Sequence, residues 1–365
     1  HCFLAIAVAQ KQPRLRQPKR YHPEKLHAYP RICGFKWGGA PAEFLARYDL
    51  VMSKIGNEVP DIGPSERAFL QKLRTLNPNV IWLTIRDWTN ASEEVSNFPE
   101  AWYLHDSKGN RIELYGPNSH WANLSDMCPT LGGSLGGVAI NNRILADWFG
   151  EYLATLDNRL GGNGVGSQGL YYRGHVAWYG FDDVDMDNNG VNDNDEHGKA
   201  WIVEHWVKGV DRLVQSIRDH LDPDSYIIIN TGSEDLPRPD LINGLYYENI
   251  NAIWNWDHTL NIRKNQQNIV QKPPIFIMNH EYDKNAPNVP RPTKNGFEFF
   301  RGGLARAAIT SNYYDANSYE ASEHYWKEYY DEFELDIGWP TSEAIRVKDL
   351  GGQGHGIWVR FFDDG

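Results

Sequence analysis

The sequence predicts a protein of the α/β class, folded as a (β/α)8 barrel in which eight parallel strands alternate with helices. Strand patterns and helical patterns follow one another along most of the chain, and continued alternation of this kind predicts a parallel sheet closed into a barrel. The length of 365 residues, with 41% hydrophobic content, suits one such barrel with insertions. Several predicted strands also end in an acidic or amide residue, which is where barrels carry their functional groups.

Three strands and two helices make up the first part of the predicted barrel. The strands are Arg31–Trp37, Leu50–Ser53 and Asn79–Arg86. A short helix is predicted over Pro41–Tyr48. A longer helix begins at Pro64, because proline is favoured in the first helical turn and apolar residues recur at helical spacing from Phe69 to Leu76.

An insertion is predicted between the third and fourth strands. Residues Ala101–Tyr115 favour a β-hairpin that turns at Ser107–Asn110, and a glycine-rich loop follows. The amphipathic helix Asn141–Leu156 then leads to the fourth strand. That strand is predicted at His175–Phe181 from its aromatic and β-branched residues.

The second half of the barrel is predicted from two helices and four strands. The helix Lys199–Leu221 carries a broad apolar stripe and ends before Pro223, and a second helix covers Phe297–Ile309. The strands are Ser225–Asn230, Gly244–Glu248, Pro274–Asn279 and Asn312–Asp315. The barrel is therefore expected to span residues 31–335, and residues 336–365 are expected to begin a C-terminal β domain that the sequence truncates.

Residues 1–30 are expected to be the remnant of a signal peptide and a linker. The segment His1–Ala9 resembles the end of a signal-peptide apolar region, so we expect a secreted or periplasmic protein. Cleavage there leaves Cys33 and Cys128, which either form a disulfide or remain two separate buried thiols. No other apolar run approaches the ~18 residues of a membrane-spanning helix.

The composition favours a small, neutral partner. A net charge of −12 argues against nucleic acid or an anionic membrane as a partner, and no protein partner is implied. The 14 Trp and 19 Tyr residues supply flat faces that stack on sugar rings, although most of them are expected in the core. The predicted partner is a carbohydrate substrate.

A calcium loop of the EF-hand type is predicted after the fourth strand. The segment 185–196 reads D-x-D-x-N-G-x-x-D-x-x-E, which has the ligand spacing of such loops and a glycine where they turn sharply. The predicted ligands of one structural Ca²⁺ are the side chains of Asp185, Asp187, Asn189, Asp193 and Glu196 and the carbonyl oxygen of Val191. The alternative is an acidic surface turn. Asn192 departs from the pattern, because this position is usually apolar in paired EF-hands.

Two carboxylates at strand ends predict cleavage of a glycosidic bond, which needs one proton donor and one nucleophile or base. Asp182, after the predicted fourth strand, is expected to attack or stabilise, and Glu248, at the end of the sixth, to protonate the leaving oxygen. Asp183 is the alternative to Asp182, since a shift of one residue exchanges their faces. Further residues at strand ends are expected to contact the substrate: Lys36, Asp87, Asn230, Asn279, His280 and Asp315.

A zinc-dependent hydrolase is disfavoured. The sequence has no H-x-H or H-E-x-x-H spacing, and its 13 histidines are scattered along the chain. The histidine at position 280 is therefore interpreted as part of a substrate-contacting rim or as an ordinary loop residue.

Five segments together resemble a known family. They are YDLVMSK (Tyr48–Lys54), AWYLHDSKGNRI (Ala101–Ile112), GFDDVD (Gly180–Asp185), NGLYYEN (Asn243–Asn249) and GIWVRFFDDG (Gly356–Gly365). The chain from about Arg31 onward resembles the TIM-barrel glycosyl hydrolases of secreted bacterial proteins, which are similar to α-galactosidase-like barrels and largely without assigned substrates.

That resemblance implies an aspartate nucleophile at the end of strand four and an acid/base residue at the end of strand six. These positions correspond to Asp182 and Glu248. The glutamate departs from the related barrels, which often have aspartate there, and the calcium loop is not a general feature of the family. The sequence thus supports a secreted glycoside hydrolase, and the alternative is a non-catalytic, calcium-stabilised barrel that binds carbohydrate without cutting it.

Overall fold

A computed structural model describes the chain at residues 29–36, 40–56, 58–170, 172–173, 181–230, 235–248, 265–282, 296–318, 331–347 and 357–364. The predicted signal-peptide remnant and most of the linker lie outside these residues. At several positions inside the described strands and helices only the backbone is described, and these include Lys36 and His280.

Eight parallel strands close into a barrel, which confirms the predicted fold class. The strands are β1 (Arg31–Lys36), β2 (Leu50–Ser53), β3 (Ile81–Arg86), β4 (Gly164–Ser167), β5 (Tyr226–Asn230), β6 (Gly244–Tyr247), β7 (Ile275–Tyr282) and β8 (Tyr313–Ser318). Each strand pairs with its neighbours in chain order. The barrel closes where Arg31 of β1 pairs with Tyr313 of β8.

Helices lie between the strands, and all except the short α4 are close to their predicted positions. They are α1 (Ala42–Leu45), α2 (Pro64–Leu76), α3 (Leu145–Leu160), α4 (Asp193–Glu196), α5 (Lys199–His220) and α6 (Gly296–Ile309). Helix α2 begins with Pro64 at its first position, as predicted, and the Glu66 carboxylate accepts a hydrogen bond of 2.9 Å from the Gly63 amide. Short 3-10 turns occur at Val59–Asp61, Ala91–Glu93, Glu100–Trp102 and Asp331–Glu334.

The predicted position of the fourth strand is wrong. Gly164–Ser167 pairs with both β3 and β5, so it occupies the place in the barrel that His175–Phe181 was expected to fill. Of the predicted segment, residues 175–180 lie outside the description, and Phe181 is not part of a strand. Because β4 ends at Ser167, the carboxylates of Asp182 and Asp183 do not stand at the end of a barrel strand.

Alternation along the strands separates two apolar cores. One cluster fills the barrel interior and includes Met52, Leu83, Ile228 and Ile277. The intervening residues, such as Val51, Trp82 and Ile229, belong to a larger cluster between the barrel and its helices. Since successive side chains of a strand point to opposite faces, the interior residues fix which side chains point into the barrel mouth.

The insertion between β3 and α3 contains a hairpin, as predicted. His105 pairs with Arg111 across the turn, and the amide of Asp106 donates to the carbonyl oxygen of Asn110 at 2.9 Å. Two further antiparallel pairs join Glu113–Gly116 to Ser119–His120 and Ser134–Leu135 to Val138–Ala139. The insertion therefore consists of short antiparallel pairs, and its buried side chains, such as Trp102 and Trp121, join the outer core.

The two cysteines are separate buried thiols rather than a disulfide. Cys33 lies in the barrel interior, whereas Cys128 lies in the outer core. Burial raises the pKa of the Cys128 thiol to about 12, so this group is unreactive at neutral pH. Among the described residues, no helix is both long and apolar enough to cross a membrane.

At the C-terminal end, Ile345–Val347 and Ile357–Val359 form an antiparallel pair. The domain boundaries at residues 30 and 335 stay predictions.

Candidate active site at the carboxyl ends of the barrel strands

A ring of polar side chains follows the apolar interior of the barrel. The alternation of β3, β5, β6, β7 and β8, continued to the ends of these strands, places Asp87, Asn230, Glu248, Asn279 and Asp315 on the inward side. All five were predicted from the sequence as site residues. The structure therefore brings them together at one face of the barrel, the face on which (β/α)8 barrels carry their sites.

Asp87 is a buried carboxyl group with a shifted pKa. Only 7% of its surface is exposed, and its Oδ1 accepts hydrogen bonds of 3.1 Å from the amides of Thr89 and Asn90. Burial raises the pKa of Asp87 to about 7, and the nearby negative charge of Glu94 adds to this effect. At neutral pH this carboxyl group is available both as an acid and as a base.

A buried ion-pair cluster contacts the backbone of Asp87. Glu94 Oε2 lies 2.9 Å from Lys54 Nζ and 3.0 Å from Arg86 Nε, and Glu94 Oε1 accepts a hydrogen bond of 3.2 Å from the amide of Asp87. Arg86 is fully buried and also donates to the carbonyl oxygen of Gly56 at 2.8 Å. The cluster joins the ends of β2 and β3 and fixes the backbone that carries Asp87.

Glu248 is oriented by an amide from the neighbouring strand. It is exposed, and its Oε2 accepts a hydrogen bond of 2.9 Å from Asn230 Nδ2. The same amide group donates to the carbonyl oxygen of Gln168, and the Asn230 backbone amide donates to Ser167 Oγ at 2.7 Å. The ends of β4, β5 and β6 are thus joined by Asn230.

The segment Gln168–Gly169 connects the two carboxylates. A Cβ atom at Gly169 would lie 3.2 Å from Asp87 Oδ1 and 3.1 Å from the hydroxyl oxygen of Tyr115, which belongs to the insertion. Asp87 therefore stands against Gly169, while Asn230 donates to Gln168 and to Glu248. Asp87 and the amide group that orients Glu248 thus contact one short piece of backbone at the barrel mouth.

Asp315 and Asn279 form a buried network inside the barrel. Asp315 Oδ2 accepts hydrogen bonds of 2.8 Å from both Tyr246 Oη and Asn279 Nδ2, and its Oδ1 accepts one of 3.2 Å from the amide of Phe35. Both Asn279 and Asp315 are at most 1% exposed. These contacts tie four strands together and form the floor of the site, so the expected contact of Asp315 and Asn279 with substrate stays a prediction.

Asp182 and Asp183 are not in this ring, contrary to the placement that the sequence predicted. The Asp182 side chain is 90% exposed and pairs with Lys199 Nζ at 3.3 Å. Both carboxylate oxygens of Asp183 accept hydrogen bonds from Ser107, at 2.8 Å from the amide and 3.0 Å from the hydroxyl. Asp183 thus secures the turn of the insertion hairpin, and the catalytic role expected of either residue loses its structural basis.

The predicted calcium loop is a compact turn. Asp185 accepts hydrogen bonds from the amides of Asn189, at 2.9 Å, and Gly190, at 2.7 Å, and Asp187 Oδ1 accepts one of 3.1 Å from Asn189. Gly190 has a φ of 83°, which other residues adopt only with strain. Both oxygens of the Asp185 carboxylate are therefore held by amides of the loop, and the amide of Asn189 is shared with Asp187.

Sequence reasoning missed the supporting residues Lys54, Arg86, Glu94 and Tyr115. A signal existed for Arg86, because a charged residue that ends a fully buried strand needs a partner. No comparable signal marked Glu94, which follows a short 3-10 turn, or Tyr115, because nothing in the predicted hairpin indicated that it reaches the barrel mouth.

Comparisons with known proteins add little to these observations. No family model and no curated protein matches the chain. Similar solved structures include the maltogenic α-amylase AmyB from Thermotoga neapolitana, with a TM-score of 0.42 and 11% identity over 83% of this chain and 70% of that one. They also include TcOYE with pHBA, with a TM-score of 0.39 and 11% identity over 80% of this chain and 89% of that one.

Both similarities are too low to indicate a function. The protein is defined as a (β/α)8 barrel by its own strand pairing, with a polar site at the carboxyl ends of the strands. Its resemblance to glycosyl hydrolases stays a prediction.

Proposed function

We propose that this protein is a glycoside hydrolase in which Asp87 is the proton donor and Glu248 is the second carboxylate. The observation that carries the proposal is the contrast between two carboxyl groups at one barrel face. Asp87 is buried with a pKa of about 7, whereas Glu248 is exposed and oriented by Asn230. Pairs of carboxyl groups held in different environments divide the roles of acid and nucleophile or base in glycosidases.

In this mechanism Asp87 donates its proton to the glycosidic oxygen of the leaving sugar. Its Oδ1 is held by two backbone amides, and the structure gives Oδ2 no hydrogen-bond partner among the described residues. Glu248 then acts on the anomeric carbon directly or through a water molecule. The exposed ring of Tyr115 stands beside Asp87 and offers a face for a sugar ring.

The test is the turnover of a panel of glycans by the purified full chain, measured as the release of reducing ends from the glycans. Asp87→Asn and Glu248→Gln are each expected to lower turnover by about 10²- to 10⁴-fold while sugar binding persists, because they remove a proton donor or a nucleophile without changing shape.

Asp182→Asn discriminates between the two assignments. We expect this variant to retain the wild-type turnover within about twofold, because the exposed Asp182 carboxylate of the wild type pairs only with Lys199 among the described side chains. Loss of turnover in Asp182→Asn with full activity in Asp87→Asn would show that the catalytic carboxylate is Asp182 and not Asp87. Glycan binding by the wild-type chain without any turnover would instead support the carbohydrate-binding barrel.

A further inference from the structure

The segment from Asp185 to Glu196, called the acidic loop below, contains a buried carboxylate with an unsatisfied oxygen. Asp193 is fully buried, and its Oδ2 accepts a hydrogen bond of 2.6 Å from the amide of Met186. Its Oδ1 has no hydrogen-bond partner in the described part of the chain. A buried charged oxygen without a partner is costly, so its presence in a well-packed turn points to a cation as its partner.

The neighbouring groups make this cost larger. The amide of Asn189 donates to Asp185 Oδ1 at 2.9 Å and to Asp187 Oδ1 at 3.1 Å, so these two carboxylates lie close together. A carboxylate oxygen of Glu196 lies within 4.8 Å of one from Asp193. An ion of charge +2 would relieve the repulsion within such pairs of carboxylates.

We propose that the acidic loop binds one Ca²⁺, with Asp193 as a direct ligand. The other donors are the side chains of Asp185, Asp187, Asn189 and Glu196 and the carbonyl oxygen of Val191. A set made of oxygen atoms matches Ca²⁺, which takes six to eight oxygen ligands.

Zn²⁺ is the competing ion. The carboxylate oxygens of Asp193 and Glu196 and a ring nitrogen of His197 lie within 4.8 Å of one another, and zinc favours nitrogen ligands of this kind. His197 is a single nitrogen donor among several oxygens, however, and the Asp185 and Asp187 carboxylates lie close enough to share the amide of Asn189. The chemistry of the whole donor set favours calcium.

The same loop secures the insertion beside the barrel mouth. The amide of Asp185 donates to the carbonyl oxygen of His105 at 2.8 Å, and Asn123 Nδ2 donates to the carbonyl oxygen of Met186 at 2.7 Å. Asn188 Nδ2 donates to the carbonyl oxygen of Ala101 at 3.2 Å.

The side chain of Asn192 joins the two ends of the acidic loop by hydrogen bonds. Its side chain accepts hydrogen bonds from the amides of Asn194, at 2.9 Å, and Val184, at 3.3 Å, and donates to the carbonyl oxygen of Asp182 at 2.9 Å. The two ends of the acidic loop are thereby joined without a second loop of the same kind. A bound ion would therefore order the loop and, through it, residues 100–125 of the insertion.

Calcium binding is measured by titration calorimetry on the full chain after treatment with EDTA. We expect one Ca²⁺ per chain, at least tenfold weaker binding in Asp193→Asn, and binding within about twofold of wild type in Asp195→Asn. Asp195 is the matched control, because it lies in the same segment, loses the same charge and is not at a ligand position.

The result that overturns the proposal is no uptake of Ca²⁺ by the wild-type chain, or uptake of Zn²⁺ alone. If Asp193→Asn does not fold, Asp187→Asn replaces it with the same expectation, since Asp187 is not fully buried.

The link to the insertion is measured by hydrogen–deuterium exchange of the same samples. Peptides within residues 100–125 are expected to exchange more slowly in wild type with Ca²⁺ than without it, and Asp193→Asn is expected to show no such difference. Calcium-dependent protection confined to residues 185–196 would refute the link. Neither measurement uses turnover, so both are independent of the proposed glycosidase activity.

Discussion

At the scale of single residues, Asp87 and Asp157 are two buried aspartates with different surroundings. Both have a pKa raised to about 7, chiefly by burial. Asp87 faces the barrel mouth, whereas Asp157 is in α3 and accepts a hydrogen bond of 2.7 Å from Thr84 Oγ1. The same raised pKa therefore occurs at the barrel mouth in one case and in helix–strand packing in the other.

The pH dependence of turnover tests the role of Asp87. A proton donor acts in its protonated form, so kcat/KM is expected to fall tenfold per pH unit above the Asp87 pKa of about 7. In Asp87→Asn this alkaline limb of the pH profile, the fall in kcat/KM above about pH 7, should be absent from the residual activity. Asp157→Asn is the control, because it removes a carboxyl group of equal pKa away from the mouth. Persistence of the limb in Asp87→Asn would assign it to another group.

The pH dependence of stability tests Asp157. Its pKa is about 7 when folded and lies near the ordinary aspartate value of 3.8 when unfolded, so the folded chain holds the proton more tightly. The contribution of Asp157 to the free energy of unfolding is therefore fully present below about pH 4, falls by up to about 1.4 kcal/mol per pH unit, and is lost at about pH 7.

Asp157→Asn should consequently gain stability relative to wild type between pH 4 and pH 7, as measured by urea unfolding. Asp240→Asn is the control and should show a nearly constant difference across this range, because the hydrogen bond from Arg238 lowers the pKa of Asp240 and its contribution therefore changes only below about pH 4. A constant stability difference between wild type and Asp157→Asn across this range would contradict the prediction.

At the scale of secondary-structure elements, β4 shows what sequence patterns cannot detect. Its sequence, GVGS, has one apolar side chain and no aromatic residue. A Cβ atom at Gly164 would lie 2.0 Å from the Tyr226 carbonyl oxygen, and one at Gly166 would lie 2.6 Å from Met52 Cε. Close approach of the Tyr226 backbone requires glycine at position 164, and the glycines of this strand remove the hydrophobic signal that identified the other seven strands.

Helix α5 depends on glycine for a different contact. A Cβ atom at Gly209 would lie 1.8 Å from the carbonyl oxygen of Leu124, so Gly209→Ala must push the helix away from the insertion. We expect a loss of about 1–3 kcal/mol in the free energy of unfolding, measured by denaturant titration.

Gly302→Ala is the matched control for this substitution. Gly302 lies in α6, and a methyl group added there would meet no described atom within 4 Å, so alanine should be neutral or stabilise by up to about 1 kcal/mol through its helix propensity. Equal stability changes at the two positions would show that the close contact with Leu124 does not determine the effect of Gly209→Ala.

At the scale of the whole molecule, the sequence predicted the barrel more completely than the site. Helical and strand periods repeat over most of the chain, so seven strands were identified even though their ends were shifted by a few residues. The site depends on which residue ends each strand, and one misplaced strand moved the expected nucleophile to Asp182. Glu94 could not have been found, because only tertiary packing brings it to Lys54 and Arg86.

The start and the end of the barrel are held together by the C-terminal segment. The amide of Tyr29 donates to the carbonyl oxygen of Gly338 at 3.1 Å, just before β1. Arg360 Nη1 donates to the carbonyl oxygens of Ala308, at 3.1 Å, and Ile309, at 3.2 Å, which end α6. A cation at the end of a helix also interacts favourably with the helix dipole. The segment thus joins the entry to β1 with the exit from α6.

Arg360→Ala is therefore expected to lower the free energy of unfolding by about 1–3 kcal/mol, because it leaves helix-end carbonyl groups without their charged donor. Hydrogen–deuterium exchange should become faster in peptides covering β1 and the end of α6, while α5 keeps its protection. Arg360→Lys should fall between the two, since lysine keeps the charge but cannot reach several acceptors at once. If the alanine variant loosens only residues 337–365, the segment is an appendage and the barrel closes without it.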